Sequence, residues 1–485
     1  MAGFARTQDP PAPVARIDQT PFEAEILDLS HDGRGVARRP DGHPHAGKTV
    51  FVAGALPGER VLAQQTGRSR SFDEARTVEV LQASPDRVAP RCPHFGSCGG
   101  CTLQHLAEDR QIHAKQRVLL ENLERIGKVA ADTVLPPLVD RAWGYRRKGR
   151  FSVRRVEKKG RTLVGFRETD PRFVADLSEC HTAIPEVGFR IAALSALVDG
   201  LDARRDIPQV EFIAGDPQPA FDGVALVFRH LQPLSEVDRA ALAAFGQAHR
   251  IAIFLQPGGI DSVHPLWPAD PQLSFRLAPW DIEFGFRPLD FIQVNAGLNE
   301  TMIARALELL RPGAGSRVLD LFCGLGNFTL PLARVAGEVV GVEGDAGLVA
   351  RARDNAARNG LTNARFHAAD LARDLRGEPW MRAAAKAGNA SAPVAGDASS
   401  PGVAAGAGFD RLLLDPPRSG AIEVLRQLPL EGMQRIVYVS CHPGSLARDA
   451  GHLVHERGWK LRAAGVMDMF PHTAHVESIA LFEPA

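Results

Sequence analysis

Between residues 21 and 82, the chain alternates polar and apolar residues in short runs that are broken by glycines. Typical runs are 23–27, 49–52 and 77–81. This period of two predicts about five short β-strands, and so many strands in so short a region favour a small β-barrel of the OB type. Barrels of this type often bind RNA, so the pattern indicates a candidate RNA-binding domain.

From about residue 290 onward, apolar strands alternate with helix-like stretches. The strands are predicted at 317–322, 338–343, 364–367, 411–415 and 435–440. This alternation is typical of an α/β fold with a doubly wound parallel sheet, whose ligands bind at the C-terminal ends of the strands. Residues 150–285 give a weaker, mixed α/β pattern, and helical spacing over 106–126 predicts an amphipathic helix.

Two segments are predicted to lie outside these domains. Residues 1–20 hold charges and three prolines without an apolar core, which indicates a disordered tail rather than a signal peptide. Residues 383–408 consist mainly of Ala, Gly, Ser and Pro, which predicts a flexible surface insertion. No apolar run approaches the roughly 18 residues of a membrane span. We therefore expect a cytoplasmic protein without a membrane partner, and no obligate protein partner is evident.

The charge is balanced overall but not locally. The chain has 57 basic and 57 acidic residues, whereas residues 1–160 contain 26 Lys and Arg against 19 Asp and Glu. Within residues 141–161, ten positive charges face a single acid, and Trp143, Tyr145 and Phe151 lie among them. Cations neutralise phosphates and aromatic rings stack on unpaired bases, so this stretch is a candidate RNA contact. A strand with a charged, solvated face would give the same pattern.

Four of the six cysteines have a spacing typical of a metal centre. Cys92, Cys98 and Cys101 lie within ten residues on a glycine-rich loop, and Cys180 follows later. Glycines let such a loop turn tightly and direct several thiolates at one centre. The three-plus-one spacing favours a [4Fe–4S] cluster. A zinc site that also uses a nearby histidine remains open.

The glycine-rich loop at 320–327 follows the first strand of the predicted sheet and carries no phosphate-binding lysine. Glu343 ends the second strand, where a carboxylate can accept both hydroxyls of a ribose, and Asp370 follows the third, within reach of an adenine amine. Strand-end acids without a phosphate cradle favour S-adenosylmethionine over a dinucleotide. Each acid taken singly could also be a helix N-cap.

Cys441 interrupts an apolar strand at its C-terminal end and is followed by His442 and Pro443. A thiol in this position, on the same edge as the glycine-rich loop, suggests a nucleophile. Cys323 lies inside the loop itself and is interpreted as a small packed residue.

Several motifs together resemble the RNA uracil-C5 methyltransferases. They are Asp-Pro-Pro-Arg at 415–418, Ser-Cys-His-Pro at 440–443, His-Val-Glu-Ser at 475–478, Phe-Ile-Gln-Val-Asn at 291–295, the glycine-rich loop, the four cysteines and the glycine motifs at 33–38 and 54–59. The resemblance covers nearly the whole chain. It departs from the family at His442, where many relatives have Asn, and at the 383–408 insertion.

The resemblance implies a Rossmann-like class I methyltransferase domain (105–128 and 286–485), an N-terminal TRAM barrel (21–82) and a central α/β iron–sulfur domain (83–104 and 129–285). The helix near 105–128 would thus pack with the catalytic domain. The resemblance also implies a set of residues around the methyl donor and the target base: Gln293, Phe322, Asn327, Glu343, Asp370 and Asp415. It implies Glu477 as the base that removes a proton.

The implied reaction is methylation of uracil C5 in 23S ribosomal RNA. Uracil C5 is a poor nucleophile, and addition of the Cys441 thiolate at C6 would place negative charge on C5, which could then accept the methyl group. Asp415 and Arg418 are candidates for holding the base and its developing charge. Two alternatives stay open: a tRNA uracil methyltransferase, and a non-catalytic RNA-binding protein that contains an iron–sulfur cluster.

Overall fold

The computed structural model describes residues 18–381 and 408–485. They form two compact units, one that ends at Ala89 and also includes His105–Ala107, and another that comprises Pro90–Gln104 and Glu108–Ala485. The sequence predicted three folded domains, and the expected central and catalytic domains lie together in the second unit. Nearly all of the predicted tail and insertion lies outside the described residues.

The first unit is a six-stranded sheet whose alternating side chains meet in one small core. Ile26, Val50, Val52 and Val61 are almost fully buried there. The strands follow the order β1-β5-β6-β4-β3-β2. Their bounds are β1 Phe22–Glu25, β2 Asp28–Leu29, β3 Gly35–Arg38, β4 Thr49–Ala53, β5 Arg60–Arg68 and β6 Phe72–Gln82.

The second unit begins its regular structure with helix α1 (Glu108–Asn122), which continues as a π-helical turn (Leu123–Gly127), and with the short strand β7 (Thr133–Val134). The buried face of α1 includes Ile112 and Leu119, which share one core with strands of the C-terminal sheet. Because an amphipathic helix is stabilised by burial of its apolar face, this packing explains the helical spacing in the sequence.

A six-stranded mixed sheet follows, in the order β13-β12-β11-β10-β8-β9. Its strands are β8 Lys148–Val156, β9 Arg161–Gly165, β10 Gln209–Ala214, β11 Val224–Arg229, β12 Ala252–Gln256 and β13 His264–Trp267. The helices in this region are α2 Pro185–Gly188, α3 Ile191–Asp199 and α4 Glu236–His249.

This sheet corrects the interpretation of the basic stretch at 141–161. Tyr145 and Phe151 are fully buried, so neither ring can stack on a base. Tyr145 donates a hydrogen bond to the Pro471 carbonyl, and Phe151 packs against Phe212 with ring centroids 5.0 Å apart. Phe151 lies on the buried face of β8, whereas Arg150 and Arg154 are exposed, as in a half-buried strand. Trp143 is partly exposed, so its part in the predicted RNA contact stays open.

The C-terminal part is an α/β sheet in the order β18-β17-β16-β19-β20-β22-β21-β7. The sequence predicted a parallel sheet, and β16 to β20 are parallel. The chain then reverses, since β22 runs antiparallel to both β20 and β21. The elements of this part are β14 Ser274–Leu277, β15 Ile282–Gly285, α5 Ala296–Leu310, β16 Arg317–Leu321, α6 Thr329–Ala333, β17 Glu338–Glu343, α7 Ala346–Arg358, β18 Ala364–Ala368, β19 Arg411–Leu414, α8 Ile422–Gln427, β20 Arg435–Ser440, α9 Pro443–Glu456, β21 Trp459–Met467 and β22 Glu477–Pro484.

Within residues 18–381 and 408–485, no helix has both the length and the apolar character that crossing a membrane requires.

Candidate active site

The glycine-rich loop after β16 makes a sharp turn that requires positive φ values, which some of its residues adopt more easily than others. Gly324 and Gly326 have φ values of 56° and 91°, which glycine tolerates because it has no Cβ. Phe322 also has a positive φ of 65°, an uncommon conformation for a bulky residue. Strain of this kind is held in place by surrounding contacts and is concentrated at functional sites.

Glu343, at the end of β17, ties this loop to the next strand. One carboxylate oxygen accepts a hydrogen bond from Gly324 N at 3.1 Å, and the other accepts one from Asp345 N at 3.1 Å. Each oxygen retains a free lone pair, since a carboxylate oxygen accepts more than one hydrogen bond. The carboxylate is therefore fixed at the cavity wall and can still bind a hydroxyl pair.

Almost all of the predicted site residues line one cavity of about 570 Å³ at the C-terminal edge of the sheet. The cavity brings together Gln293, Phe322, Asn327, Glu343, Asp415, Arg418, Cys441 and Glu477. Asn327 is fixed by a reciprocal amide pair with Asn299, at 3.0 and 2.9 Å. The rule that ligands bind at the carboxyl ends of parallel strands thus predicted the position of the cavity.

Asp370 is the exception, and its predicted contact with an adenine amine stays a prediction. It is exposed, does not line the cavity, and pairs with Arg373 at 2.9 Å. Its carboxylate also accepts a hydrogen bond from Ala372 N at 3.0 Å, so it stabilises the turn after β18. Asp370 fits the alternative of a local turn or cap acid, because short polar side chains often bond to nearby backbone amides.

The antiparallel pairing of β22 with β20 places Glu477 beside Cys441. Ser440 and Ser478 are direct partners in the ladder, and Cys441 and Glu477 are the neighbouring positions on the two strands. His475 Nε2 lies 3.3 Å from Glu477 Oε1, and Arg418 lies 3.5 Å from the other ring nitrogen of His475. The thiol, the carboxylate, the imidazole and the guanidinium therefore form one polar group at the cavity wall.

His442 has a structural role next to this thiol. It is the N-cap of α9, and its Nδ1 accepts a hydrogen bond from Ser445 N at 3.1 Å. An Asn side chain offers an acceptor at a similar distance from the backbone, and Asn is a favoured N-cap residue. The departure from the family pattern at this position therefore preserves the cap.

Burial and neighbouring acids favour the protonated thiol of Cys441. Burial, and then the charges of Glu477 and Asp415, raise the pKa of Cys441 to about 11, while Arg418 acts in the opposite direction. Burial also raises the pKa of Asp415 well above its usual range, with smaller contributions from Glu477 and Asp320. A cavity with more acidic than basic side chains is suited to bind a cation. The charge of that cation would lower the pKa of Cys441 and the pKa of Asp415.

The sequence analysis missed the aromatic lining of the cavity. Phe275, Phe284, Phe291, Phe328 and Phe470 line it, and His475 joins the polar group. Phe291 and His475 stand within motifs that were recognised but were given no role. Phe275 and Phe284 lie in two strands with ordinary alternation of polar and apolar residues. The sequence pattern therefore did not distinguish them from residues of the hydrophobic core.

The four predicted metal ligands surround a second, smaller cavity of about 110 Å³. Cys92, Cys98, Cys101 and Cys180 line it, as do His94 and His181. Burial raises the pKa of Cys98 to about 11 and that of Cys101 to about 12, and neighbouring thiols add to both shifts. Across residues 18–381 and 408–485, however, no three His, Cys, Asp or Glu side chains form a group that could hold a metal ion.

Comparison with known proteins gives a consistent result. Residues 275–484 match the family model described as tRNA (Uracil-5-)-methyltransferase. The chain is 68% identical to the 23S rRNA (uracil(1939)-C(5))-methyltransferase RlmD of Stenotrophomonas maltophilia strain K279a, over 97% of this chain and 98% of that protein. It is also 68% identical to the protein of the same name from Xanthomonas campestris pv. campestris strain 8004, over 96% and 98% of the two chains.

Among solved structures, the chain is similar to the Pyrococcus abyssi tRNA (uracil-54, C5)-methyltransferase in complex with S-adenosyl-L-homocysteine. The TM-score is 0.66, the sequence identity is 22%, and the match covers 95% of this chain and 100% of that one. At this identity the likeness establishes a shared methyltransferase α/β fold.

Proposed function

The chain belongs to the RNA uracil-C5 methyltransferase family, and we propose on this basis that it transfers a methyl group from S-adenosylmethionine to C5 of a uridine in 23S ribosomal RNA. The observation that carries the proposal is the convergence of Cys441, Glu477, Asp415 and the glycine-rich loop on one cavity. The match to 23S rRNA methyltransferases over nearly the whole chain supports the ribosomal substrate.

The cavity residues fit S-adenosylmethionine as the methyl donor. Glu343 presents free lone pairs to a ribose at the edge of the glycine-rich loop. Phe322, Gln293 and Asn327 line the same wall. The acid-rich end near Asp415 suits the positive sulfonium, since opposite charges attract strongly in a partly buried site. Asp370 is not part of this proposal.

Cys441 acts as the nucleophile. Its thiolate adds to C6 of the uracil, and the electron pair of the C5–C6 double bond moves toward C5 and the adjacent carbonyl. C5 then attacks the methyl carbon of the donor, whose sulfur leaves with its bonding electrons as a neutral thioether. Glu477 removes the proton from C5, and the returning electron pair expels the Cys441 thiolate.

The charges around Cys441 determine in which state of the protein its thiolate forms. With its pKa raised to about 11, Cys441 is a thiol at neutral pH in the free protein. The sulfonium and Arg418 each favour the thiolate, whereas Glu477 and Asp415 oppose it. Burial raises the pKa of Asp415 well above its usual range and so favours the protonated carboxyl, which can donate a hydrogen bond to a uracil carbonyl; Asp415 opposes the thiolate only in its ionised form. We therefore assign activation of the thiol to the substrate-bound state.

The second cavity fits a [4Fe–4S] cluster held by Cys92, Cys98, Cys101 and Cys180. All four thiols line it. A cube of iron and sulfide is larger than one ion and keeps its thiolates further apart. The three-plus-one spacing of the four cysteines along the chain favours a cluster over zinc. When bound, the cluster would supply a fixed link between the cysteine loop and Cys180.

The N-terminal sheet is proposed as a TRAM-type RNA-binding domain. The exposed cations of the basic stretch, including Arg141, Arg154 and Lys158, are further candidates for phosphate contacts. Their proposed role is electrostatic and independent of the base sequence, because contacts with phosphates carry no direct sequence information.

The test is methylation of purified 23S ribosomal RNA and of tRNA with labelled S-adenosylmethionine, followed by mapping of the modified base. We expect one methylated uridine in 23S ribosomal RNA. Selective labelling of tRNA would support the alternative tRNA enzyme. RNA that contains 5-fluorouracil at the mapped position should form a covalent complex with the wild-type protein, and a protein that binds this RNA without any adduct would be a non-catalytic RNA-binding protein.

A further inference from the structure

Residues 468–475 form a segment that we call the base segment, because it leads directly into Glu477. It contributes Phe470 and His475 to the cavity wall. The segment contains no regular helix or strand, and His472 within it has a φ of 66°. An irregular backbone with a left-handed residue depends on outside contacts for its position. The origin of those contacts therefore matters for the placement of the base.

One set of contacts comes from helix α1. Gln111 Oε1 accepts a hydrogen bond from His472 N at 2.8 Å. Lys115, one helical turn later on the same buried face, donates to Asp468 Oδ1 at 2.6 Å and to the Phe470 carbonyl at 2.9 Å. These contacts attach the first half of the base segment to the catalytic domain's own core.

The other set comes from the cysteine loop. Thr102 N and Leu103 N both donate to the His472 carbonyl, at 2.9 and 3.0 Å. The Thr102 hydroxyl in turn accepts a hydrogen bond from Ala474 N at 3.0 Å. Thr102 directly follows Cys101, which lines the small cysteine cavity. The second half of the base segment is therefore bonded to a loop that the proposed cluster would hold.

We propose that the cysteine loop positions the catalytic base: Thr102 and Leu103 hold the base segment so that His475 and Glu477 lie beside Cys441. This inference rests on the proposed roles of Cys441 and Glu477. Thr102 is thus a positioning residue, which touches neither substrate nor donor. Three hydrogen bonds link the cysteine loop to the base segment. Loss of the cluster should therefore make Glu477 more mobile, in addition to destabilising the central sheet.

The first test compares Thr102→Val, which removes the acceptor for Ala474 N, with Thr102→Ser, which retains it. Thr301→Val is the matched control, because Thr301 is an exposed threonine whose hydroxyl bonds to the Gly297 carbonyl elsewhere in the unit. The readout is the rate at which iodoacetamide alkylates Cys441 in the folded, RNA-free protein, measured on its peptide by mass spectrometry. Iron content and melting temperature are recorded for each variant.

We expect Thr102→Val to be alkylated about threefold faster than wild type, because one lost hydrogen bond frees Glu477 to move away from the thiol. Thr102→Ser and Thr301→Val should match wild type. Equal alkylation of Thr102→Val and wild type would overturn the proposal. Since the readout needs no methyl transfer, it stays valid even if the protein acts on a different RNA or on none.

The second test removes iron with a chelator and repeats the alkylation below the melting temperature. Cluster-free wild type should show a similar acceleration, and Thr102→Val should add little to it, because both changes release the same contacts. If iron removal and Thr102→Val each accelerate alkylation and their factors multiply in the cluster-free variant, Thr102 does not link the cluster to Cys441. If iron removal unfolds the protein, the iron-loaded Thr102→Val variant decides the question alone.

A kinetic measurement separates positioning from general stability. Thr102→Val should lower kcat severalfold with little change in the affinity for S-adenosylmethionine, and a methylated protein–RNA adduct should persist longer than in wild type. An unchanged adduct lifetime with lowered thermal stability would indicate a purely structural role and would contradict the proposal.

Discussion

Glu477 lies beside Cys441 because Cys441 directly follows β20, which pairs antiparallel with β22 through Ser440 and Ser478, and Glu477 is the first residue of β22. The charge of Glu477 contributes to the raised pKa of the Cys441 thiol, second only to burial. A base next to a nucleophile therefore opposes formation of the thiolate until a positive charge enters the cavity. This relationship sets the order of events in the proposed reaction and leads to several predictions.

Cys441→Ala should abolish methylation while binding of S-adenosylmethionine stays within a few fold of wild type, because the thiol acts on the base and not on the sulfonium. Turnover is measured with labelled donor and binding by calorimetry. Cys323→Ala is the control, since Cys323 is a second thiol of the same cavity that is buried within the glycine-rich loop and is not the proposed nucleophile. Residual turnover of Cys441→Ala above about a hundredth of wild type would assign the nucleophile to another residue.

Glu477→Gln should permit methyl transfer and stall release, because the C5 proton remains and the thiolate cannot be expelled. A denaturing gel with labelled donor should reveal a methylated protein–RNA adduct that accumulates with time. Normal release of methylated RNA from this variant would rule out Glu477 as the base.

The methyl donor should lower the pKa of Cys441, whereas its neutral product should not. In the free protein, with a pKa near 11, alkylation of Cys441 should rise about tenfold for each pH unit between 7 and 9, as the thiolate fraction rises. S-adenosylmethionine should shift this profile to lower pH because its sulfonium favours the thiolate. S-adenosylhomocysteine occupies the same space without the charge, and an equal shift with both compounds would contradict the electrostatic account.

Glu343 and Asp370 should behave differently when their charge is removed. Glu343→Gln should weaken S-adenosylmethionine binding by about tenfold or more, since a charged acceptor at the cavity wall is lost. Asp370→Asn should change binding less than about twofold, because the side chain is outside the cavity and Asn still caps the local turn. Titration calorimetry of both variants measures the difference. A comparable loss for Asp370→Asn would restore the sequence-based role of that residue.

Anaerobically purified protein should be brown and contain about four iron atoms per chain, with broad visible absorption. Cys98→Ser should lower the iron content, the thermal stability and RNA binding, while S-adenosylmethionine still binds. Cys323→Ser should retain full iron, because that cysteine lies in the glycine-rich loop and lines the larger cavity. Colourless protein with one zinc per chain, prepared without oxygen, would replace the cluster by a zinc site and leave the methyltransferase proposal intact.

The sequence alone predicted the edge of the sheet at which the candidate site lies and most of the residues that line its cavity. The glycine-rich loop, Glu343, Asp415 and Cys441 all follow apolar strands, and the carboxyl ends of parallel strands meet at one edge of a sheet. Strand patterns and the residues at strand ends depend on short stretches of sequence, so they can be predicted without a structure. The grouping of Cys92, Cys98 and Cys101 could be read for the same reason, since their spacing is short.

Only the tertiary structure decided which side of an element a residue occupies and which distant segments meet. Tyr145 and Phe151 belong to a basic run, yet pairing of their strand region turns both rings into the core. Asp370 follows a strand in the expected way, yet its turn directs it to solvent. The contacts of Thr102 with His472 and Ala474 join positions some 370 residues apart. Such contacts arise from packing of whole elements, and no period or motif along the chain records them.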